Sequence, residues 1–315
     1  MHPILHLAGD SRPLCPIGLG TAGILRWHDG SVADVLGTFL DCGGQMVDTA
    51  RIYGFPRIGA SEEALGLWLA QSGKRQDVLL MSKGGHPHVH SMHRPRMRQK
   101  DMASDLEESL RALRTDCIDV YFYHRDDESQ TVGELLECME DFRREGKIRF
   151  YGCSNWSVER MRAADEYARE HGCAGFTGNE ALYSIASDHM KPLPDDTMRK
   201  ADGAMRAYHA RAAGNILMPY SALCEGYFHQ MAKGGVLSAL ALSRSPYDTP
   251  ENRRTAQRIR HVQEKRGATV TQVLAGFYLA QPLPMLPLFG CGSPAHVREL
   301  MGALELPFAP EDFHD

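Results

Sequence analysis

The chain has 315 residues, 43% hydrophobic and 24% charged, which is ordinary for a globular protein and too long for a small module. Its formal net charge of -5 and pI near 6.3 exclude a whole-molecule attraction to nucleic acid or to an anionic membrane. No uncharged apolar stretch reaches the ~18 residues of a membrane span, and residues 1–9 lack the basic start and apolar run of a secretion signal. The expectation is therefore a soluble cytoplasmic protein with no nucleic-acid or membrane partner. The eight cysteines contain no Cys-x-x-Cys pair and no zinc-ligand spacing, so they are expected to be buried or inert thiols in a reducing compartment.

In chain order, Ile4–Leu7 and Arg12–Leu14 flank Gly9-Asp10 and predict a small hairpin. Leu14–Leu19 is a first strand ending in Gly20-Thr21. Val32–Cys42 follows with apolar residues at helical spacing (Val32, Val35, Leu36, Phe39, Leu40). Gln45–Asp48 is a second strand. Ser61 is a candidate N-cap, with Glu62 and Glu63 in the first turn of the next helix. Asp77–Ser82, Cys117–Tyr123, Lys147–Cys153, Gly175–Asn179 and Asn215–Pro219 are further strands. The helices between them are expected at Met102–Leu113, Val132–Arg143, Val158–His171 and Thr197–Ala213. A long segment then leads to helices at Arg254–Lys265 and Thr271–Ala280, a strand at Met285–Leu288 and a last helix at Pro294–Leu304.

Alternating strands and helices favour parallel strands, because each return crossover is filled by a helix. The expected fold is an α/β class (β/α)8 TIM barrel, one domain over residues 1–315, with the N-terminal β-hairpin across its bottom. A doubly wound sheet is the alternative, and Gly18-Leu19-Gly20-Thr21-Ala22-Gly23 has the spacing of its glycine-rich turn. No helix opens at Gly23, however, since Trp27, His28, Asp29 and Gly30 intervene.

In a barrel the chemistry sits at the C-terminal ends of the strands. Asp48 ends the second strand with Tyr53 in the loop after it, Lys83 ends the third and His124 the fourth. Each has an ordinary reading when taken alone: a turn carboxylate, a packed phenol, a surface ammonium, a hydrogen-bonded imidazole. Converging from three successive strands, they make an acid–base cluster.

Asp48-Thr49-Ala50-Arg51-Ile52-Tyr53-Gly54 resembles the Asp-(x4)-Tyr motif of the aldo-keto reductase family, and Lys83 and His124 match the rest of its tetrad. The resemblance runs from about Gly18 to Leu300 with the motifs in order. It implies an oxidoreductase that reduces a carbonyl compound (an aldehyde, ketone or sugar-like substrate) to an alcohol. NADP(H) or NAD(H) gives the hydride and Tyr53 the proton. A phenol is a reluctant acid at neutral pH, and an adjacent ammonium lowers its pKa. Lys83 is expected to do this while Asp48 holds it, with His124 donating to the substrate oxygen.

The same resemblance implies cofactor contacts at Gly20, Thr21, Asp48, Ser154, Asn155, Glu180 (where the family usually has Gln), Tyr220, Ser221, Leu223, Gly290, Gly292, Ser293 and His296. The ordinary reading of Ser154-Asn155 is a helix N-cap, and that of Tyr220 is strand-end packing. The family usually meets the adenosine phosphate with a Lys or Arg near Gly290–Gly292 and an Arg where His296 stands, so weak selection for NADPH over NADH is expected. Trp27, His86, His88, Tyr123 and Trp156 are expected around the substrate, together with the loop from Ala222 to Thr249. The His-rich run from His86 to His93 lacks a cysteine or carboxylate partner at ligand spacing, so no metal is expected. Two other readings stay open: a cofactor-sensing regulatory subunit, and a sugar epimerase that recycles its cofactor. A homo-oligomer is left open as well.

Overall fold

Each apolar run pairs in parallel with its neighbour in the chain. Strands β1 (Gly18–Gly20), β2 (Met46–Asp48), β3 (Leu79–Gly84), β4 (Ile118–Tyr123), β5 (Ile148–Ser154), β6 (Gly178–Leu182), β7 (Ile216–Tyr220) and β8 (Leu288–Phe289) form one sheet, ordered β7-β6-β5-β4-β3-β2-β1-β8. A parallel bridge from Leu217 to Met285, with Leu286 N donating to Leu217 O at 3.0 Å, joins the two ends. The structure is a computed structural model that describes residues 5–7, 12–26, 31–193, 195–212 and 214–313.

Strand alternation sorts side chains into two layers. Val120 and Phe122 of β4 join Met46, Met81, Ile216, Met218 and Leu288 in one cluster inside the barrel. Tyr121 and Tyr123 pack in the outer cluster against the helices. Leu5 and Leu7, both 2% exposed, join the inner cluster. Leu14 N donates to Leu5 O across an antiparallel bridge, so the N-terminal hairpin takes the form of this single pairing. Its turn, Gly9-Asp10, lies outside the described residues.

The outer layer comprises α1 (Ser31–Asp41), α2 (Ala60–Ser72), α3 (Gln99–Leu113), α4 (Val132–Arg144), α5 (Val158–His171), α6 (Gly203–His209), α7 (Tyr227–Lys233), α8 (Val236–Arg244), α9 (Pro250–Arg266), α10 (Val270–Leu279) and α11 (Pro294–Met301). Local chemistry sets the starts. Thr131 with Glu134 and Thr269 with Gln272 form capping boxes, and Ser157, Asp202, Thr249 and Ser293 accept from a backbone amide three residues on.

Three expectations need correction. Ser61 is not an N-cap, because α2 begins one residue earlier behind Gly59, whose φ of 85° suits glycine. Ser61 instead bonds Thr21 and Thr49 from the buried first turn, tying α2 to the ends of β1 and β2. The helix expected over Thr197–Ala213 is confined to α6. Before it, Asp195–Met198 form a turn and Arg199–Ala201 run beside β6, with Leu182 N donating to Arg199 O and Ala201 N to Leu182 O. The long segment after β7 contains α7 and α8, which apolar spacing had not revealed.

Candidate active site

Parallel pairing puts the C-terminal ends of all strands at one end of the barrel, and Asp48, Lys83 and His124 meet there. Lys83 points inward from β3 and is fully buried. Its Nζ lies 2.5 Å from Asp48 Oδ1, 3.2 Å from the Thr49 carbonyl and 3.3 Å from Tyr53 Oη. Glu180 Oε2, from β6, is 3.0 Å from the same nitrogen. The Tyr53 ring meets His124 edge-on, with centroids 5.8 Å apart. The four residues expected to share the chemistry are therefore together, and Glu180 joins them.

The electrostatics differ from the expectation for Tyr53. Burial pushes its phenol above the ordinary value, and the Asp48 and Glu180 carboxylates add to that rise, so they outweigh the nearby Lys83 ammonium. Tyr53 is thus held firmly protonated. Lys83 is held charged by Asp48 and Glu180 against the cost of its burial. Burial raises Glu180 to about 8 despite Lys83. His124 is driven well below its usual value, first by burial and then by His86, Arg125 and Lys83, so it is a neutral imidazole. Its Nδ1 is buried without a partner.

A cleft of about 880 Å³ opens over this cluster, a size that suits a cofactor-sized ligand. Gly20, Asp48, Tyr53, His124, Ser154, Asn155, Glu180, Tyr220, Ser221, Leu223, Gly290 and Gly292 line it. Ser154-Asn155 is not a helix cap, because Ser157 fills that role for α5. Asn155 has φ 63°, and its Oδ1 accepts from Tyr220 Oη at 2.8 Å and from Arg199 N at 2.9 Å. Among the described residues, five that are not glycine have positive φ, and Asn155, Ser221, Cys224 and Glu225 are four of them. Asn155, Ser221 and Glu225 are on the cleft wall, where a strained backbone of ~1–3 kcal/mol per residue persists only if its surroundings over-determine it. Ser293 and His296 lie just beyond, in the cap and first turn of α11, with Ser293 Oγ accepting from His296 N.

Other expected residues are placed differently. Tyr123 and Trp156 are fully buried in the outer layer and do not line the cleft. Tyr123 faces α4, donating to Leu135 O at 2.9 Å, and Trp156 stacks on it and donates to Arg125 O at 3.1 Å. The cause for Tyr123 is strand alternation: next to inward-facing Phe122, it must face outward. Thr21 is also turned away. Its amide donates to Asp48 O, and its carbonyl and hydroxyl meet Ser61. His86 packs edge-on against His124 at 4.7 Å but is not in the cleft wall, and His88 is exposed. Trp27 lies outside the described residues. Among the described residues no three His, Cys, Asp or Glu side chains gather as a metal cage.

Arg125 was missed. A charge two residues past a strand end normally reads as solvated. Here it is 8% exposed, lines the cleft, and donates to His124 O, Thr197 Oγ1 and Asp195 Oδ2 at 2.9, 2.9 and 3.2 Å. Only the fold could disclose partners some 70 residues away.

All eight cysteines are free. Cys291 is the one in the cleft wall, and burial raises its thiol to about 12, which leaves almost no thiolate at neutral pH. Iodoacetamide at pH 7.5 is therefore expected to leave activity largely intact while modifying exposed Cys42. Rapid loss of activity that nucleotide prevents would implicate Cys291.

Comparison with known proteins places this geometry. The model of the Aldo/keto reductase family matches residues 16–315. An NADP(+) aryl-alcohol dehydrogenase of Phanerodontia chrysosporium is 25% identical over 96% of this chain and 82% of its own length. Norsolorinic acid reductase B of Aspergillus parasiticus is 25% identical over 88% of this chain and 71% of its own. A crystal structure of an aldo/keto reductase from Klebsiella pneumoniae, solved with NADP and acetate, superposes with a TM-score of 0.69 at 24% identity, covering 99% of this chain and 93% of that one. With the family match extending from just before the first strand to the last residue, the chain belongs to the Aldo/keto reductase family.

Proposed function

We propose that this protein reduces aldehydes or ketones to alcohols with NADP(H), aromatic carbonyl compounds being the first substrates to try. The observation that carries the reading is the buried Lys83 ammonium gripped by Asp48 and facing Tyr53, with a neutral His124 beside it. The aromatic preference rests on the relatives named aryl-alcohol dehydrogenase and norsolorinic acid reductase.

The residues present fit the cofactor. The cleft is large enough, His124 Nδ1 lacks a partner, Glu180 Oε2 meets only Lys83, and a Cβ added at Gly290 or Gly292 would meet nothing within 4 Å. Bound nicotinamide would supply the hydride. Tyr53 holds the proton that the substrate oxygen must receive, and neutral His124 has one N–H to offer that oxygen. Together they make a small site for developing negative charge. Lys83 keeps a positive charge behind the phenol as its proton leaves, and Asp48 keeps Lys83 in place. Asn155, locked by Tyr220 and Arg199, presents a fixed amide on the cleft wall.

A panel of aromatic and aliphatic aldehydes, ketones and alcohols, run with NADPH and NADH, tests this. Stoichiometric nucleotide turnover with at least one carbonyl is expected. Isomerised product without accumulated oxidised or reduced nucleotide would favour an epimerase instead. NADH is expected to serve usefully. The turn Gly290-Cys291-Gly292 carries no cation, and His296 stands where the family commonly has Arg. Each missing charge-assisted phosphate contact costs about 1.5–3 kcal/mol, roughly 10- to 150-fold in affinity. Dissociation constants from fluorescence quenching decide it. An NADPH preference above about a hundredfold, or ~2.7 kcal/mol, would point to Arg298 or another cation. If the preference is small, Gly292→Arg should restore it, since the position has room.

A further inference from the structure

The cluster around Lys83 holds one carboxylate more than its ammonium can serve. Within 3.3 Å of Lys83 Nζ lie Asp48 Oδ1, the Thr49 carbonyl, Tyr53 Oη and Glu180 Oε2, four partners for an ammonium with three hydrogens and a single charge. Glu180 Oε2 sits 3.0 Å from the nitrogen, and it has no hydrogen-bond partner besides that ammonium. Glu180 is 3% exposed and lines the cleft. The charged and titratable groups around it are Lys83 on β3, Asp48 on β2, Tyr53 beyond β2, Arg125 beyond β4 and Tyr220 at the end of β7. Arg125 is already paired with Asp195. With both carboxylates ionised, the Lys83 cluster is a buried site of net charge -1, which is costly in a poorly solvated interior.

A proton on Glu180 removes that charge, and so does a cation in the cleft. The hydride must reach the carbon whose oxygen Tyr53 and His124 hold, so the nicotinamide has to lie among Tyr53, His124 and Glu180. Its oxidised ring is positive and its reduced ring neutral. We propose that Glu180 makes nucleotide binding sensitive to redox state: its carboxyl keeps its proton beside the reduced ring and releases it to solvent when the oxidised ring binds. This rests on the cofactor reading above. The raised Glu180 value of about 8 places the exchange in the working pH range.

The sign follows from linkage. Oxidised nucleotide prefers ionised Glu180, so below about pH 8 its binding expels a proton and its affinity rises with pH, by up to roughly tenfold per unit. Reduced nucleotide binds without that exchange. The adenosine 2'-phosphate also titrates, but it is common to both forms and cancels in the ratio of their dissociation constants.

The test measures dissociation constants of NADP+ and NADPH from pH 6 to 9 for the wild type and Glu180→Gln, by fluorescence quenching. Calorimetry in two buffers of different ionisation enthalpy counts the protons. For the wild type, the NADP+ to NADPH ratio of dissociation constants is expected to fall at least about tenfold from pH 6 to 8, with close to one proton released per NADP+ at pH 7 and close to none per NADPH. In Glu180→Gln the ratio should be flat and NADP+ binding should release no proton. A flat ratio in the wild type, or a slope that survives in Glu180→Gln, overturns the proposal. If the variant does not fold, the wild-type proton count decides alone. Failure of either nucleotide to bind the wild type would instead remove the cofactor reading, whereas binding of both with a flat ratio removes only the role of Glu180.

Discussion

Tyr53→Phe is expected to lower turnover by ~100-fold or more, the loss typical of general acid catalysis, while nucleotide dissociation constants stay within a few-fold of wild type. The phenol oxygen lies 3.3 Å from Lys83 Nζ beside the His124 ring, and its proton is held firmly by burial and by two flanking carboxylates. Removing the oxygen removes the proton without changing the shape of the ring. The effect should therefore fall on the chemical step. Turnover within threefold or so of wild type would show that the proton comes from elsewhere, with His124 the next group to test.

Lys83→Met should be at least as damaging, and for two separable reasons. The ammonium is the attractive charge facing the departing Tyr53 proton, so its loss raises the phenol further. It also leaves Asp48 buried without its counter-charge, and breaking a buried pair this way costs about 3–5 kcal/mol. Burial already holds both the Asp48 and Glu180 carboxyls above their unfolded values near 4 in the wild type, and the folded variant escapes part of that cost by protonating them, which raises them further. Its folded state then binds more protons than its unfolded state above that pH, so stability falls as pH rises. Thermal unfolding should show the variant losing least near pH 5 and most near pH 8, relative to wild type. Activity is read separately. A residual rate that keeps the wild-type pH dependence would mean that Lys83 does not tune the acid.

Most of the barrel was legible because its signals are local. Apolar runs of strand length alternate with helical spacing, and Thr131 and Thr269 mark helix starts through side chains three residues from their partners. The proposed active-site cluster was legible for a related reason: Asp48, Lys83 and His124 lie at or beside the ends of successive strands, and parallel pairing aligns such ends. What escaped depends on distance or on direction. The stretch before α6 has helix-compatible residues but is drawn straight by bonds to Leu182, a tertiary override of propensity. Tyr123 is next to His124 in sequence yet faces α4, because one step along a strand reverses the face. The phenol's high affinity for its proton was hidden because it depends on Glu180, four strands away from Asp48 in the chain, and on how completely the site is buried.

The anchoring of Arg125 ties the proposed site to a segment outside the Lys83 cluster. One guanidinium links Asp195 and Thr197, in the connection between β6 and α6, to the carbonyl of His124. Fraying of that connection would remove two of the three bonds that hold the guanidinium, so local unfolding there is expected to reach the cleft wall. A nick by a protease near residues 190–196 would then be felt as lost activity before the barrel as a whole came apart.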